Sequence, residues 1–322
     1  MGIMRIYTAM VERVKIFHDC PSLKLYRSRL LQSWAQEDNS VSISWLGTAG
    51  VLVSDGKTGI LIDPYVSRFG FFKIAMGLHL QPNKDLVKSW TARLGNGGVG
   101  AVAVSHSHFD HCIGAPYFAM ETGAFLVGSE STLNAGRGAS LEEERLKAVK
   151  PGQTITLGAF TLKFIESRHG PAFWGRVPYP GKIDKPLVPP RAAKDYKLGQ
   201  TYAILISHPS GTILHHGSAG FIPGMYDGIT ADVVLLGIVG RGDTGTYLTN
   251  IPIKLGANLV IPIHFDNFFA PLEKGLRMLP TAQFREFCAV ADRHRDSFEL
   301  KTLSLGEKTV ILPVLKKEVF PR

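Results

Sequence analysis

Residues 105–112 read SHSHFDHC, and His106, His108, Asp110 and His111 crowd four metal-ligating side chains into six positions. His106 and His108 are two apart, so on an extended segment both imidazoles point the same way. Asp110 and His111 follow on what must be a turn, where they can face a second ion. Imidazole and carboxylate donors favour zinc, and iron or manganese accept the same set. Four ligands do not fill two ions, so more must come from elsewhere. His169 closes KFIESRHG and His264 closes NLVIPIHF; both stand at strand-to-loop junctions, where a rigid scaffold presents functional groups.

The surrounding pattern supplies that scaffold. VSISWLGTAGVLVSDGKTGILIDP, from residue 41, alternates β-branched runs with Gly and Asp-Gly turns, as antiparallel hairpins do. GAVAV runs as a short strand into the histidine cluster, IGAPYFAMETG reads as a helix and AFLVGS as a strand. SLEEERLKAV reads as a short helix, PGQTITLGAFTLKFIES as a hairpin and TYAILISHPSGTILHHG as two strands about a Pro-Ser-Gly turn. ADVVLLGIVG and NLVIPIHF are buried strands, FREFCAVADRH is a helix, and residues 22–36 space Leu23, Tyr26, Leu30 and Trp34 as a surface helix does. Strands in two batches with helices between them predict a two-sheet sandwich with helices outside, an α+β protein. Residues 1–40 form a helical extension packed on the core, and 41–322 one domain interrupted by a long Pro- and Gly-rich loop at 170–199.

Composition allows an enzyme without requiring one: 322 residues, 45% hydrophobic and 20% charged, suffice for a substantial core. Three scattered cysteines argue against a disulfide framework and fit a reducing compartment. No signal h-region and no run of 18 apolar residues is visible, so the expectation is a soluble, cytoplasmic protein. Of the net charge of +9, a surplus of +5 lies between Arg168 and Gly199. Because that stretch begins beside His169, it predicts a basic rim that draws in an anionic small molecule. Arg168 and Arg176 would pair with a phosphate or carboxylate, while Phe173, Trp174 and Tyr179 would cover an apolar part. Nucleic acid is not expected, since no further basic run with interleaved aromatics exists. Oligomeric state is not encoded legibly.

HSHFDH after a strand and after LIDP (Leu61 to Pro64), then RHG, HHGSAG and PIHF in that order, resembles the metallo-β-lactamase-fold superfamily of metal-dependent hydrolases. Within it the chain is similar to the branch of ascorbate-6-phosphate lactonases and N-acyl phosphatidylethanolamine phospholipase D, from about residue 41 to 312. The resemblance implies an αββα sandwich of two mixed sheets with the metals at one edge. It implies that His106, His108 and His169 hold a first ion and Asp110, His111 and His264 a second, with Asp63 orienting a ligand histidine through a hydrogen bond. The chain departs from the pattern at Ser218, which stands where the family has a bridging aspartate. A hydroxyl is a poorer ligand and brings no charge, so the second ion should be held more weakly, or completed by His215, His216 or Asp266, or the site should work with one ion.

One or two divalent ions, zinc first and iron or manganese as alternatives, would lower the pKa of a bound water to about 7 and polarise a carbonyl or phosphoryl oxygen. The expected reaction is hydroxide attack on an ester, lactone or phosphodiester, with Asp110 orienting the nucleophile and handling its proton. Competing expectations are a mononuclear iron dioxygenase of the same fold and a non-catalytic binding protein with a degenerate site.

Overall fold

A computed structural model describes residues 21–33, 38–95, 98–172 and 175–314. The first of two seven-stranded sheets runs, in spatial order, Lys308–Leu312, Val41–Gly47, Gly50–Ser54, Gly59–Ile62, Val99–Ala103, Phe125–Gly128 and Leu146–Ala148. The second runs Glu299–Leu300, Leu259–Ile263, Val233–Gly237, Gly211–His216, Tyr202–His208, Phe160–Glu166 and Thr154–Leu157. Each is mixed: the strands within 41–62 and within 154–216 pair antiparallel, and Gly59–Ile62 through Phe125–Gly128 and Gly211–His216 through Leu259–Ile263 pair parallel.

Period-two alternation decides what each strand packs against. Val51, Val53, Ile60, Ile62, Ala101 and Ala103 face the second sheet, joining Phe164, Ile204, Leu214 and Ile261 in the central core. Leu52, Leu61, Val102 and Val104 turn the other way, onto Val87 and Trp90 of the helix Lys84–Leu94 and Phe118 of the helix Ala115–Thr122. In Val233–Gly237 every residue is buried, as expected of a parallel strand covered on both faces.

Two readings of the sequence change. Of the helix expected over 22–36, the described residues are helical over Pro21–Ser28; Leu30 then bridges to Thr302, and Trp34 lies outside the described residues. Leu23 and Tyr26 of this helix are nevertheless buried in the central core. SLEEERLKAV is not a helix: one 3-10 turn, Glu143–Arg145, leads into Leu146–Ala148, which pairs parallel with Phe125–Gly128. Its helix-forming glutamates are overruled by an open sheet edge that takes up backbone hydrogen bonds. Among the described residues, no helix is long and apolar enough to cross a membrane.

The 170–199 segment is strapped to the core. Leu187 donates its N–H to Asn134 O (2.9 Å), the Asn134 amide donates to Ile183 O (2.7 Å), and Ile183 N–H donates to Ser131 Oγ (3.0 Å). At Gly138 a Cβ atom would fall on the Leu187 backbone, so only glycine admits the loop this closely. Gly138→Ala should therefore lower stability by about 1–3 kcal/mol, as overpacking does, and open the segment to limited proteolysis. Urea titration and a protease time course measure both, and an unchanged midpoint would contradict the strap.

Candidate metal centre

The strand Val99–Ala103 delivers the chain to the sheet's carboxyl edge, where it bends through 105–106 and His108, itself extended, caps a helical turn, Phe109–Cys112. Alternation then sorts the side chains. His106 and His108 face one way, while Ser107 between them donates its hydroxyl to Lys197 O (2.8 Å) on the strapped loop. His169 follows the strand Phe160–Glu166 and His264 follows Leu259–Ile263. His264 adopts φ +54°, an uncommon backbone for a non-glycine residue, and its N–H donates to Thr48 O at 2.7 Å.

These residues meet in two triplets. One ligand atom each from His106, His108 and His169 lies within 4.8 Å of the others, and the same holds for Asp110, His111 and His264. The rings of His106, His108 and His169 converge edge to face, with centroids 4.7–4.9 Å apart. Hydrogen bonds fix which nitrogen is free. His108 Nε2 donates to Pro178 O (2.9 Å), leaving Nδ1; His169 Nδ1 donates to Gly170 O (2.6 Å), leaving Nε2; His106 Nε2 is buried without a partner. Three neutral imidazoles aiming unprotonated nitrogens at one point fit a divalent cation. In the second triplet, Asp110 Oδ2 lies 3.3 Å from His264 Nε2 and 3.7 Å from His111 Nε2.

Behind both triplets stands Asp63, fully buried with φ +46°. It accepts from His111 Nδ1 (2.8 Å), Ser105 N–H (2.7 Å) and Ser105 Oγ (2.5 Å), while Ser105 Oγ lies 3.1 Å from His106 Nδ1. One carboxylate thus aligns His111 directly and His106 through a serine hydroxyl. Ser105 escaped the sequence reading; the residue just before HxH on a strand end was the available signal.

Burial, reinforced by neighbouring imidazoles, holds His106 well below the ordinary histidine range, and burial with His169 takes His108 down to about 3. Burial takes His169 down to about 4. For Asp110, burial pushes upward but His111 and His264 outweigh it, so the carboxyl stays ionised. His111 goes the other way: burial lowers it, yet the charges of Asp63 and Asp110 raise it on balance.

Several expected participants lie elsewhere. Asp266 is fully buried but committed: Oδ2 pairs with Arg68 at 2.5 Å and Oδ1 accepts Thr48 N–H at 2.8 Å, so it does not complete the second triplet. His215 donates Nε2–H to Ala49 O (2.8 Å), and His216 contacts the Tyr226 hydroxyl through Nδ1 (2.6 Å); neither joins a triplet. Ser218 does line the pocket, its hydroxyl accepting Gly170 N–H at 3.2 Å. Tyr179 lines it too, its ring 6.1 Å from His108. Arg168 and Arg176 are exposed and stand outside the pocket lining. Phe173 and Trp174 lie outside the described residues. The pocket walls include Phe268, Phe269, Ile74 and Val239, which the sequence reading did not single out. The aromatic run after His264 in HFDNFF was their signal.

Two triplets of candidate ligands at one edge of two mixed sheets match the arrangement of the metallo-β-lactamase fold. The chain matches the beta-lactamase superfamily domain over residues 42–264 and belongs to that superfamily. A UPF0173 metal-dependent hydrolase of Rhizobium leguminosarum bv. trifolii is 31% identical over 132 residues, covering 41% of this chain and 49% of that one, so the match spans about half of that relative. One from Pyrobaculum islandicum is 26% identical over 236 residues, covering 71% of this chain and 85% of the relative. Among solved structures, the metallo hydrolase Igni18 of Ignicoccus hospitalis shares the fold at TM-score 0.55 and 17% identity, over 84% of this chain and 97% of that one. The metallo-beta-lactamase fold protein YhfI of Bacillus subtilis does so at TM-score 0.53 and 16% identity, over 84% and 98%.

Two outcomes are expected. Asp63→Asn and Ser105→Ala should each weaken metal affinity by about 10–100-fold, read by competition with a chromogenic chelator; unchanged affinity would remove Asp63 and Ser105 from the centre's support. Without metal, stability should fall with acid. His106, His108, His169, His215 and His216 are all depressed by burial, so each takes its proton in the unfolded chain near the ordinary value of about 6.5 but not yet in the folded one. Their stabilisation is present above that value and is lost as pH falls toward 4, with raised His111 alone opposing the trend. Denaturant midpoints between pH 7.5 and 4.5 measure it, and a flat profile would contradict the burial argument.

Proposed function

We propose that the chain is a metal-dependent hydrolase that cleaves an ester, lactone or phosphodiester bond. The observation that carries this reading is the pair of ligand triplets, each gathered within 4.8 Å, side by side in the wall of one pocket. The relatives named metal-dependent hydrolases support it. His106, His108 and His169 would hold one ion, zinc by donor chemistry, and Asp110, His111 and His264 a second. When bound, such an ion supplies Lewis acidity and a water acidic enough to ionise near neutral pH.

The remaining work falls to the chain itself. Asp110, ionised and in the pocket wall, accepts a hydrogen bond from the attacking water and so orients it. Tyr179 keeps its phenol protonated, because burial and then the Asp110 charge raise it, so its hydroxyl can donate to a substrate oxygen. Ser218 contributes no charge where a bridging carboxylate would otherwise balance two cations. The first triplet therefore binds tightly and the second weakly.

Plasma emission analysis of the purified chain should find close to one tightly held ion, rising toward two with added metal. His106→Ala and His264→Ala should each lower kcat/KM on the best of a lactone, an aryl ester and bis-p-nitrophenyl phosphate on the order of 10³-fold, the worth of several kcal/mol. Full activity in either variant would refute the assignment. Ser218→Asp should raise occupancy at the second position, and an unchanged stoichiometry would show that this serine does not set it.

A further inference from the structure

The pocket beside the triplets is not built for charge. Among its described lining residues there is no lysine or arginine, and apart from the histidines, Asp110, Ser218 and Tyr179 the walls are hydrocarbon or backbone. The hydrocarbon is organised. Phe268 meets the His264 ring edge-on with centroids 5.3 Å apart, Phe269 lies 4.2 Å beyond Phe268, and Phe71 meets Phe269 edge-on at 5.3 Å. These spacings are those of directly packed rings. They make a continuous wall from a metal ligand to the short helix Phe71–Ala75. That helix turns Ile74 into the pocket, while Phe72 and Met76 on its outer side are 57% and 61% exposed. An ionic group laid along this wall would lose its water and gain no counter-charge. An alkyl or aryl group would lose only unfavourable hydration.

We infer that the substrate carries an uncharged aliphatic or aromatic arm next to the scissile bond, and that this arm lies along Phe268, Phe269 and Ile74 toward the helix Phe71–Ala75. The inference rests on the hydrolase reading and narrows it, from any ester, lactone or phosphodiester to one that carries an apolar substituent beside the bond cleaved. The exposed positions of Arg168 and Arg176 agree, since neither reaches the pocket lining.

Two measurements on the full-length chain test it. With metal loaded, kcat/KM for p-nitrophenyl acetate, butyrate, hexanoate and octanoate should rise by up to about fourfold per added methylene until the arm outgrows the wall. Phe269→Lys should flatten that slope. Independently of reaction and of metal, the neutral fluorophore N-phenyl-1-naphthylamine should bind the protein and be displaced by n-alkanols at concentrations that fall with chain length. Phe269→Lys should weaken this binding and Phe72→Ser, on the exposed side, should not. Neither a chain-length trend in turnover nor one in displacement, or displacement lost in Phe72→Ser but kept in Phe269→Lys, would overturn the inference. If neither an ester, a lactone nor bis-p-nitrophenyl phosphate is hydrolysed while the alkanol series and its Phe269 dependence persist, the apolar arm stands and the hydrolase reading falls.

Discussion

The centre depends on one buried carboxylate. Asp63 sits at the end of Gly59–Ile62 with no exposed surface, and an uncompensated charge there would be costly. Its compensation is specific: His111, the Ser105 amide and the Ser105 hydroxyl all donate to it. Each bond fixes something used by the triplets, namely the tautomer of His111, the path of the chain entering the histidine loop, and, through the serine oxygen, the ring of His106. Room is left on purpose around this carboxylate. A Cβ at Gly217 would stand 3.0 Å from Asp63 Oδ2 and 2.6 Å from His215 Cε1. The buried His215 is therefore a wall of the Asp63 site rather than a ligand, which is why a second histidine pair at 215–216 adds nothing to the metal count.

A second ion pair keeps the two sheets in register at the working edge. Asp266, two residues after His264, is gripped by Arg68 and by the Thr48 amide, both belonging to segments that leave the first sheet. His264 N–H donates to Thr48 O in the same place. The turn that receives them passes through Gly47 at φ +83°, where a side chain would run into the Arg68 guanidinium. The left-handed backbone of His264 is thus held from outside, by contacts with the opposite sheet, and its ring is carried to Asp110 as a consequence.

What the sequence disclosed and what it hid follow from the range of the interactions. HSHFDH was legible because four donors and the geometry that separates them are local. The hairpins at 41–62 and 202–216 were legible because strand alternation and turn residues are local too. The partner of Asp266 was hidden for the opposite reason: HFDNF advertises a carboxylate beside a ligand candidate, and the arginine that pairs with it is 198 positions away. The helical reading of 140–149 failed where an unpaired strand edge outweighed propensity. The arginines beside His169 were read as substrate contacts from adjacency alone, but Arg168 enters an antiparallel bridge to Gly220 and its side chain is exposed.

Ser218 shows how a lost ligand can leave a fold intact. Its hydroxyl accepts the Gly170 N–H and so ties the residue after His169 to the loop after Gly211–His216, a task that needs an acceptor but no charge. The electrostatic consequence falls on the ions. Among the six ligands only Asp110 is anionic, and Asp63 is spent on His111 and Ser105. Two divalent cations a few ångströms apart in a buried site repel through a poorly screening medium. One carboxylate offsets that repulsion less than two would. The three-imidazole triplet does not depend on that offset for its first ion. This supports the proposal of unequal affinities, with the tighter ion in the histidine triplet.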